Sequence, residues 1–291
     1  MEEKAPDTSR ISITAHHTGY TWYAHGLSHR ALTTSLGGLL YHGLNPFMRA
    51  GRLLLGVSDI ETYLVQRHLI LDHLMDREVS RYGKIQVLEM ASGLSPRGMR
   101  FCARHEGRGL TYVEADLPAM AARKRRVMEQ NGLLRPGHSI ATVNLLAASG
   151  PESMESVFAR YLSPDTRTVV VTEGIINYFP LPTVLAFWRR IAETLSLSGG
   201  GTYLADNMPE LSTWAGRRLI RPAKRMVELA ARGRTFLHFQ RPVQARQALL
   251  LAGFASADVH RPESFFETLA IPRSRKPSFI QVLEASAPGK E

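Results

Sequence analysis

The amino-acid sequence predicts an α/β fold: a Rossmann-like, seven-stranded sheet with a helical N-terminal extension and a helical cap. Three observations carry this. From residue 84 onward, short β-rich runs alternate with helical stretches, the pattern of parallel strands joined by crossover helices. The first strand runs into a turn of small residues, and the second ends in acids. Residues 207–250 then break the alternation with two helices before the last two strands.

Residues 1–80 read as mostly helical. Ile60 to Met75 carries Leu64, His68, Leu69, Leu71, Leu74 and Met75 at helical spacing, and turn formers at Gly37-Gly38, Gly43 and Asn45-Pro46 interrupt the stretch before it. The strand candidates are Ile85–Glu89, Leu110–Glu114, Ser139–Val143, Thr168–Thr172, Thr202–Ala205, Ala255–His260 and Phe279–Leu283. Helices are expected between them at Arg97–His105, Met120–Asn131, Glu152–Tyr161 and Thr183–Leu197. The interruption reads as Leu211–Ala231 and Pro242–Ala252, and an insertion there is expected to cap the crevice at the carboxyl edge of the sheet. The expected organisation is an extension or lid over 1–80 and a core over 81–291 with the cap at 207–250.

With 44% hydrophobic and 21% charged residues, the 291-residue chain has a globular composition. No apolar run is long enough to span a bilayer, and the polar start Met1-Glu2-Glu3-Lys4 is unlike a signal peptide, so a cytoplasmic protein without a membrane partner is expected. The single cysteine, Cys102, excludes an intramolecular disulfide and a cysteine-based zinc site; it reads as a small core residue, and no metal is expected. Lysine and arginine total 36 against 26 acids. The excess gathers at Arg217, Arg218, Arg221, Lys224, Arg225, Arg232, Arg234, Arg241 and Arg246, a field that attracts anions such as an acidic small molecule or an acidic carrier protein. No helix-turn-helix, zinc-finger or RNA-recognition signature is present, so no nucleic acid is expected. The basic helix segment Ala122-Arg123-Lys124-Arg125-Arg126 reads as a solvated face.

The first strand ends Val87-Leu88-Glu89-Met90-Ala91-Ser92-Gly93-Leu94-Ser95-Pro96-Arg97-Gly98. Ala91 stands where a dinucleotide fingerprint has its first glycine, so the phosphate pattern is not met. An acid followed by small-x-Gly suits a cofactor with an amino-acid tail, with Glu89 near its ammonium and Gly93 passing beneath it. The second strand ends Val113-Glu114-Ala115-Asp116-Leu117-Pro118; Glu114 and Asp116 share a face, and an acid at this edge accepts ribose hydroxyls or, alternatively, caps the next helix. The fourth, Val169-Val170-Val171-Thr172-Glu173, has the composition of a strand buried on both faces. Glu173, just past it, is expected at the mouth of the sheet rather than in the core, because an unpaired buried carboxylate is costly.

Together these segments resemble the leucine carboxyl methyltransferase family, and more closely its bacterial branch of polyketide-tailoring O-methyltransferases. The resemblance rests on Val87 to Gly93, on Tyr112 to Pro118 with Arg123-Lys124, on Thr172-Glu173-Gly174-Ile175-Ile176-Asn177-Tyr178, and on Ser9 to Tyr23. It covers roughly residues 10–180, and its most specific part is Glu114-Ala115-Asp116-Leu117-Pro118. It implies a class I methyltransferase sheet and S-adenosyl-L-methionine as cofactor. By position it implies Gly93 under the cofactor, Asp116 at the ribose, Glu173 near the methionine end, Arg67 at the cofactor carboxylate, and Asn144-Leu145 beside the adenine. The family's early lysine has no match in register, and the parts specific to protein phosphatases are not recognisable.

Methyl transfer needs the acceptor in line with the donor. A carboxylate acceptor is already ionised at neutral pH and needs no base. A phenol or alcohol does need one, and His16, His17, His25, Tyr23 and Asp206 are the candidates. Tyr20, Trp22, Tyr23, Asn177 and Tyr178 are the expected lining of the acceptor pocket. The leading expectation is a carboxyl O-methyltransferase acting on a small acidic metabolite. The alternatives are a hydroxyl O-methyltransferase and a non-catalytic carrier-protein or nucleic-acid binding module on a vestigial cofactor fold.

Overall fold

Thr168–Thr172 forms β4, and all five of its residues are buried. Three consecutive valines in a central strand face both layers of the molecule, and the rest of the sheet is built outward from them. The computed structural model describes residues 13–43, 60–209, 235–273 and 278–290. Its strands are β1 (Gln86–Met90), β2 (Thr111–Asp116), β3 (His138–Thr142), β4, β5 (Gly201–Asn207), β6 (Ser256–His260) and β7 (Gln281–Ala287). They form one sheet in the order β3-β2-β1-β4-β5-β7-β6.

The five strands from β3 to β5 pair in parallel, as expected of strands separated by helices. The helices with both ends among the described residues are α1 (Ile13–Ala24), α2 (Ile60–Tyr82), α3 (Arg97–Arg104), α4 (Pro118–Gln130), α5 (Met154–Tyr161), α6 (Leu181–Ser196) and α7 (Pro242–Leu251). The last strand departs from the parallel rule: β7 runs antiparallel to both β5 and β6. Only a short 3-10 turn at Pro262–Phe265 appears between β6 and β7 among the described residues, and without a crossover helix the chain returns antiparallel. The predicted helix Leu211–Ala231 and the arginines on it lie outside the described residues, as do residues 9–12.

Side-chain alternation divides the core. Leu88, Val113, Val170 and Tyr203 face α5, α6 and α7 through Val157, Trp188 and Leu249. Val87, Tyr112, Val169, Val171 and Leu204 face α2 and α3 through Ile70, Leu74 and Phe101. Cys102 is buried in this second layer, and burial pushes its thiol up to about 12, so it is an inert packing residue. Both layers leave the carboxyl ends of β1, β2, β4 and β5 side by side at one edge.

Candidate functional site

At that edge the first turn takes a left-handed path. Ala91 (φ 53°) and Gly93 (φ 50°) both have positive φ, and for alanine this is a strained conformation. Asp116, at the end of β2, fixes the turn. Its Oδ2 accepts the Gly93 amide at 2.6 Å and its Oδ1 accepts the Leu117 amide at 2.7 Å. Burial raises the Asp116 carboxyl above its ordinary range, against the pull of those two amides.

The largest assembly lies between α2, α3 and the ends of β4 and β5. Arg67 donates from Nε to Glu173 Oε1 at 2.9 Å and from Nη1 to Asp206 Oδ2 at 3.0 Å. Asp206 also accepts the Gly174 amide at 2.5 Å. Arg97 is fully buried and donates to Asp72 (2.7 Å), Glu89 (2.7 Å) and Glu173 (2.6 Å). His68 Nδ1 meets Glu173 Oε2 at 2.9 Å. Burial alone would raise the Glu173 carboxyl, but the charges of His68, Arg97 and Arg67 hold it well below the usual carboxylate range. Asp206 moves the other way: burial raises it, and Arg67 only partly opposes this. Glu173 was expected outside the core; its side chain is instead only 5% exposed, because Arg67 and Arg97 pair with it and offset the cost of burying it.

Two predicted cofactor residues point into this packing rather than into the crevice. Glu89 is 1% exposed, and its second oxygen accepts the Tyr112 hydroxyl at 2.7 Å. Glu114 is fully buried, with Lys124 Nζ at 2.7 Å and the Gly98 amide donating at 3.2 Å. It shares a face with Asp116, but two residues deeper into the sheet, where α4 covers it. The solvated-face reading of 122–126 is corrected at the same point: Lys124 is buried, while Arg125 and Arg126 are exposed. Burial would raise Glu114, yet Lys124 and then His138 bring it down to about 2. Gly98 leaves the space this requires, since a Cβ there would lie 2.5 Å from Glu114 Oε1.

After β3, Asn144 Oδ1 accepts the Leu146 amide at 3.0 Å, and Arg190 Nη1 donates to the Leu145 carbonyl at 3.2 Å while paired with Glu155. Leu145, Leu146, Ile175, Phe179, Val184 and Phe187 line an apolar recess between the β3 and β4 turns.

Helix α1 lies across the edge. A Cβ at Gly93 would meet only the Ala15 Cβ, at 3.9 Å, and one at Gly19 would press on Leu94 at 3.2 Å. At the other end the Tyr178 hydroxyl donates to Thr14 Oγ1 at 3.2 Å. Trp22 is buried on the inner side, its ring 4.8 Å from that of His68. Tyr20 joins Tyr23, Tyr41 and His42 in an aromatic cluster, and Tyr23 is 36% exposed. His16 Nδ1 lies 2.8 Å from Thr34 Oγ1; burial and then the charge of Arg123 lower its titration. His17 is also lowered by burial, with Glu61 opposing, and His25 Nε2 is 2.6 Å from Glu61. Asn177 is committed elsewhere. It donates to the Met208 and Phe236 carbonyls at 3.1 and 2.6 Å and accepts the Met208 amide at 2.8 Å, so it ties together the chain on either side of 210–234.

Residues 50–192 match the family model described as leucine carboxyl methyltransferase. Over that stretch, just under half of the chain, the sequence is similar to this family. The matched stretch carries the β1 turn, Asp116 and Glu173, and the sheet it belongs to has the class I methyltransferase fold. A structure described as a methyltransferase from Thermobifida fusca superposes with a TM-score of 0.62 at 13% identity, covering 99% of this chain and 100% of that one. One described as an O-methyltransferase from Nostoc punctiforme gives 0.50 at 14% identity, over 77% of this chain; this chain spans only 57% of that protein's length. PigF with SAH gives 0.50 at 13% identity, covering 86% of this chain and 73% of that one. At these identities the likeness is one of fold. No curated protein sequence matches significantly.

The carboxyl-edge site has a donor set that S-adenosylmethionine would fit. Asp116 has two amide partners and, among the described residues, no salt bridge, so lone pairs remain that could take hydroxyl donors. Arg67 and Glu173 offer both signs of charge for an amino-acid tail. Arg97, which the sequence reading missed, holds Glu173 and Glu89 in place. Its signal was faint: an arginine one turn before Phe101 on the buried face of α3. Among the described residues no helix is long and apolar enough to cross a membrane, and no cluster of histidine, cysteine or acids is arranged for a metal.

Proposed function

We propose that this protein is an S-adenosylmethionine-dependent methyltransferase that acts on oxygen, at the carboxylate of a small acidic, polyketide-like metabolite. When bound, S-adenosylmethionine would supply an electrophilic methyl group on a sulfonium. On this reading Gly93 and Asp116 receive the ribose side, Asn144 and Leu145 the adenine, and Arg67 the cofactor carboxylate, with Glu173 facing the ammonium. Arg97, fixed by Asp72 and Glu89, keeps Glu173 ionised. Helix α1 closes over the acceptor and excludes water, which raises the reactivity of a carboxylate by stripping its hydration.

The observation that carries the carboxyl assignment is the state of Asp206. Asp206, which would have to take a proton from a hydroxyl acceptor, has both oxygens engaged, Oδ2 by Arg67 and Oδ1 by the Gly174 amide. A carboxylate acceptor needs no such step. A hydroxyl acceptor is the second reading, favoured by His17, which is half-buried and lowered in titration and is therefore neutral near pH 7. Transfer of labelled methyl to paired acids and phenols tests this. Alkali-labile product marks an ester and supports the carboxyl reading, whereas alkali-stable ether overturns it. The basic segment 217–234 fits an acidic substrate or carrier protein; of the neighbouring arginines, Arg246 is tied to the Ala257 carbonyl at 2.8 Å.

A further inference from the structure

Among the described residues, Arg123 is a half-buried cation of α4 without an ion pair. On α4 its neighbours are committed: Lys124 to Glu114, and Arg125 to the Ile140 carbonyl. Arg123 is half-buried, its Nε is shielded from solvent without a hydrogen-bond partner, and among the described residues it forms no ion pair. A buried guanidinium nitrogen with nothing to bond to is a donor short of an acceptor.

Its position is specific. Helical side chains lean toward the helix N-terminus, and α4 begins at Pro118, directly after Asp116. The Arg123 stem is thus directed back toward the carboxyl edge of the sheet. On the other side stands His16 of α1, close enough to feel the guanidinium charge. The residue before His16, Ala15, is the one that faces Gly93. The Arg123 guanidinium therefore lies on the α1 side of α4, the helix that begins two residues after Asp116.

We propose that Arg123 is the receptor for the acceptor's carboxylate, pairing with one of its oxygens while the other is left to react. This rests on the carboxyl O-methyltransferase reading above. The chemistry gives the residue a second consequence. As the carboxylate oxygen bonds to carbon, the carbon–sulfur bond breaks with both electrons on sulfur, and no proton moves. The product is a neutral ester, so the ion pair to Arg123 is lost on reaction and the product is released. An ion pair made in the ground state lowers KM without raising kcat.

The test uses the full-length protein saturated with S-adenosylhomocysteine, titrated with 1-naphthoate and with uncharged 1-naphthamide. Native protein should bind the acid at least tenfold more tightly than the amide. R123Q should lose that preference while its affinity for S-adenosylhomocysteine stays within twofold, and R123K should retain part of it. A thermal melt of each variant verifies folding, and R123K keeps the test open should R123Q fail to fold. Equal binding of acid and amide by native protein overturns the inference, as does an undiminished preference in R123Q. A fall in S-adenosylhomocysteine affinity in R123Q also overturns it, since Arg123 would then serve the cofactor. Failure of S-adenosylhomocysteine to bind native protein is read before any acid is added; it sinks the reading of function itself and takes this inference with it.

Discussion

The Asp116 carboxylate accepts the Gly93 amide at 2.6 Å, so the acid of the second strand and the glycine of the first turn form one structural unit. A side-chain amide in place of that carboxylate sets an N–H against the N–H of Gly93 or Leu117. D116N should therefore weaken S-adenosylhomocysteine binding by ten- to a hundredfold, a loss of about 1.4–2.8 kcal/mol read by titration calorimetry.

Arg67 bridges Glu173 and Asp206. If it also receives the cofactor carboxylate, R67Q should weaken S-adenosylhomocysteine binding about tenfold or more and leave 5′-methylthioadenosine, which lacks the amino-acid tail, almost unaffected. Equal losses for both ligands would assign Arg67 a purely structural part.

The Glu114–Lys124 pair is buried at 2.7 Å, and removing one partner strands the other. E114Q should cost about 3–5 kcal/mol in denaturant unfolding, with K124M in the same background recovering part of it. The pH dependence has a definite sign. Glu114 titrates near 2 in the fold against 4.5 ordinarily, so its stabilisation is complete above about pH 4.5 and is lost as pH falls toward 2. The gap between native protein and E114Q should close over that window.

His16 and His17 both titrate below 6.5, so both are neutral at pH 7–8. For a carboxyl acceptor, kcat should be flat from pH 6 to 8, and H17N should keep most of its turnover. A rate that falls as the medium is acidified through pH 6, together with a collapse in H17N, would instead identify His17 as a base for a hydroxyl acceptor.

Much of this was legible in the sequence. The run Val169-Val170-Val171 marks β4 to the residue, and the helices begin within two residues of their expected starts. The last strand was displaced, with Gln281–Ala287 observed against an expected Phe279–Leu283, because its small residues Ala285, Ser286 and Ala287 lack the bulk that signals a strand. Asp116 and Gly93 stood out because local spacing reveals them. Arg97 and Lys124 did not, since their partners Asp72, Glu89, Glu173 and Glu114 come from other elements, and a buried cation looks like a surface one until its carboxylates are in place.

Helix α1 touches Leu94 beyond the first turn and, through Thr14, Tyr178 beyond the fourth strand. If the proposed cofactor rests on Gly93 and Glu173, that helix roofs it, and entry of fresh donor and escape of spent thioether would both wait on the same segment. Turnover would then keep time with the lifting of α1 rather than with bond exchange, and an added tether between α1 and Tyr178 would slow the cycle without touching a reacting atom.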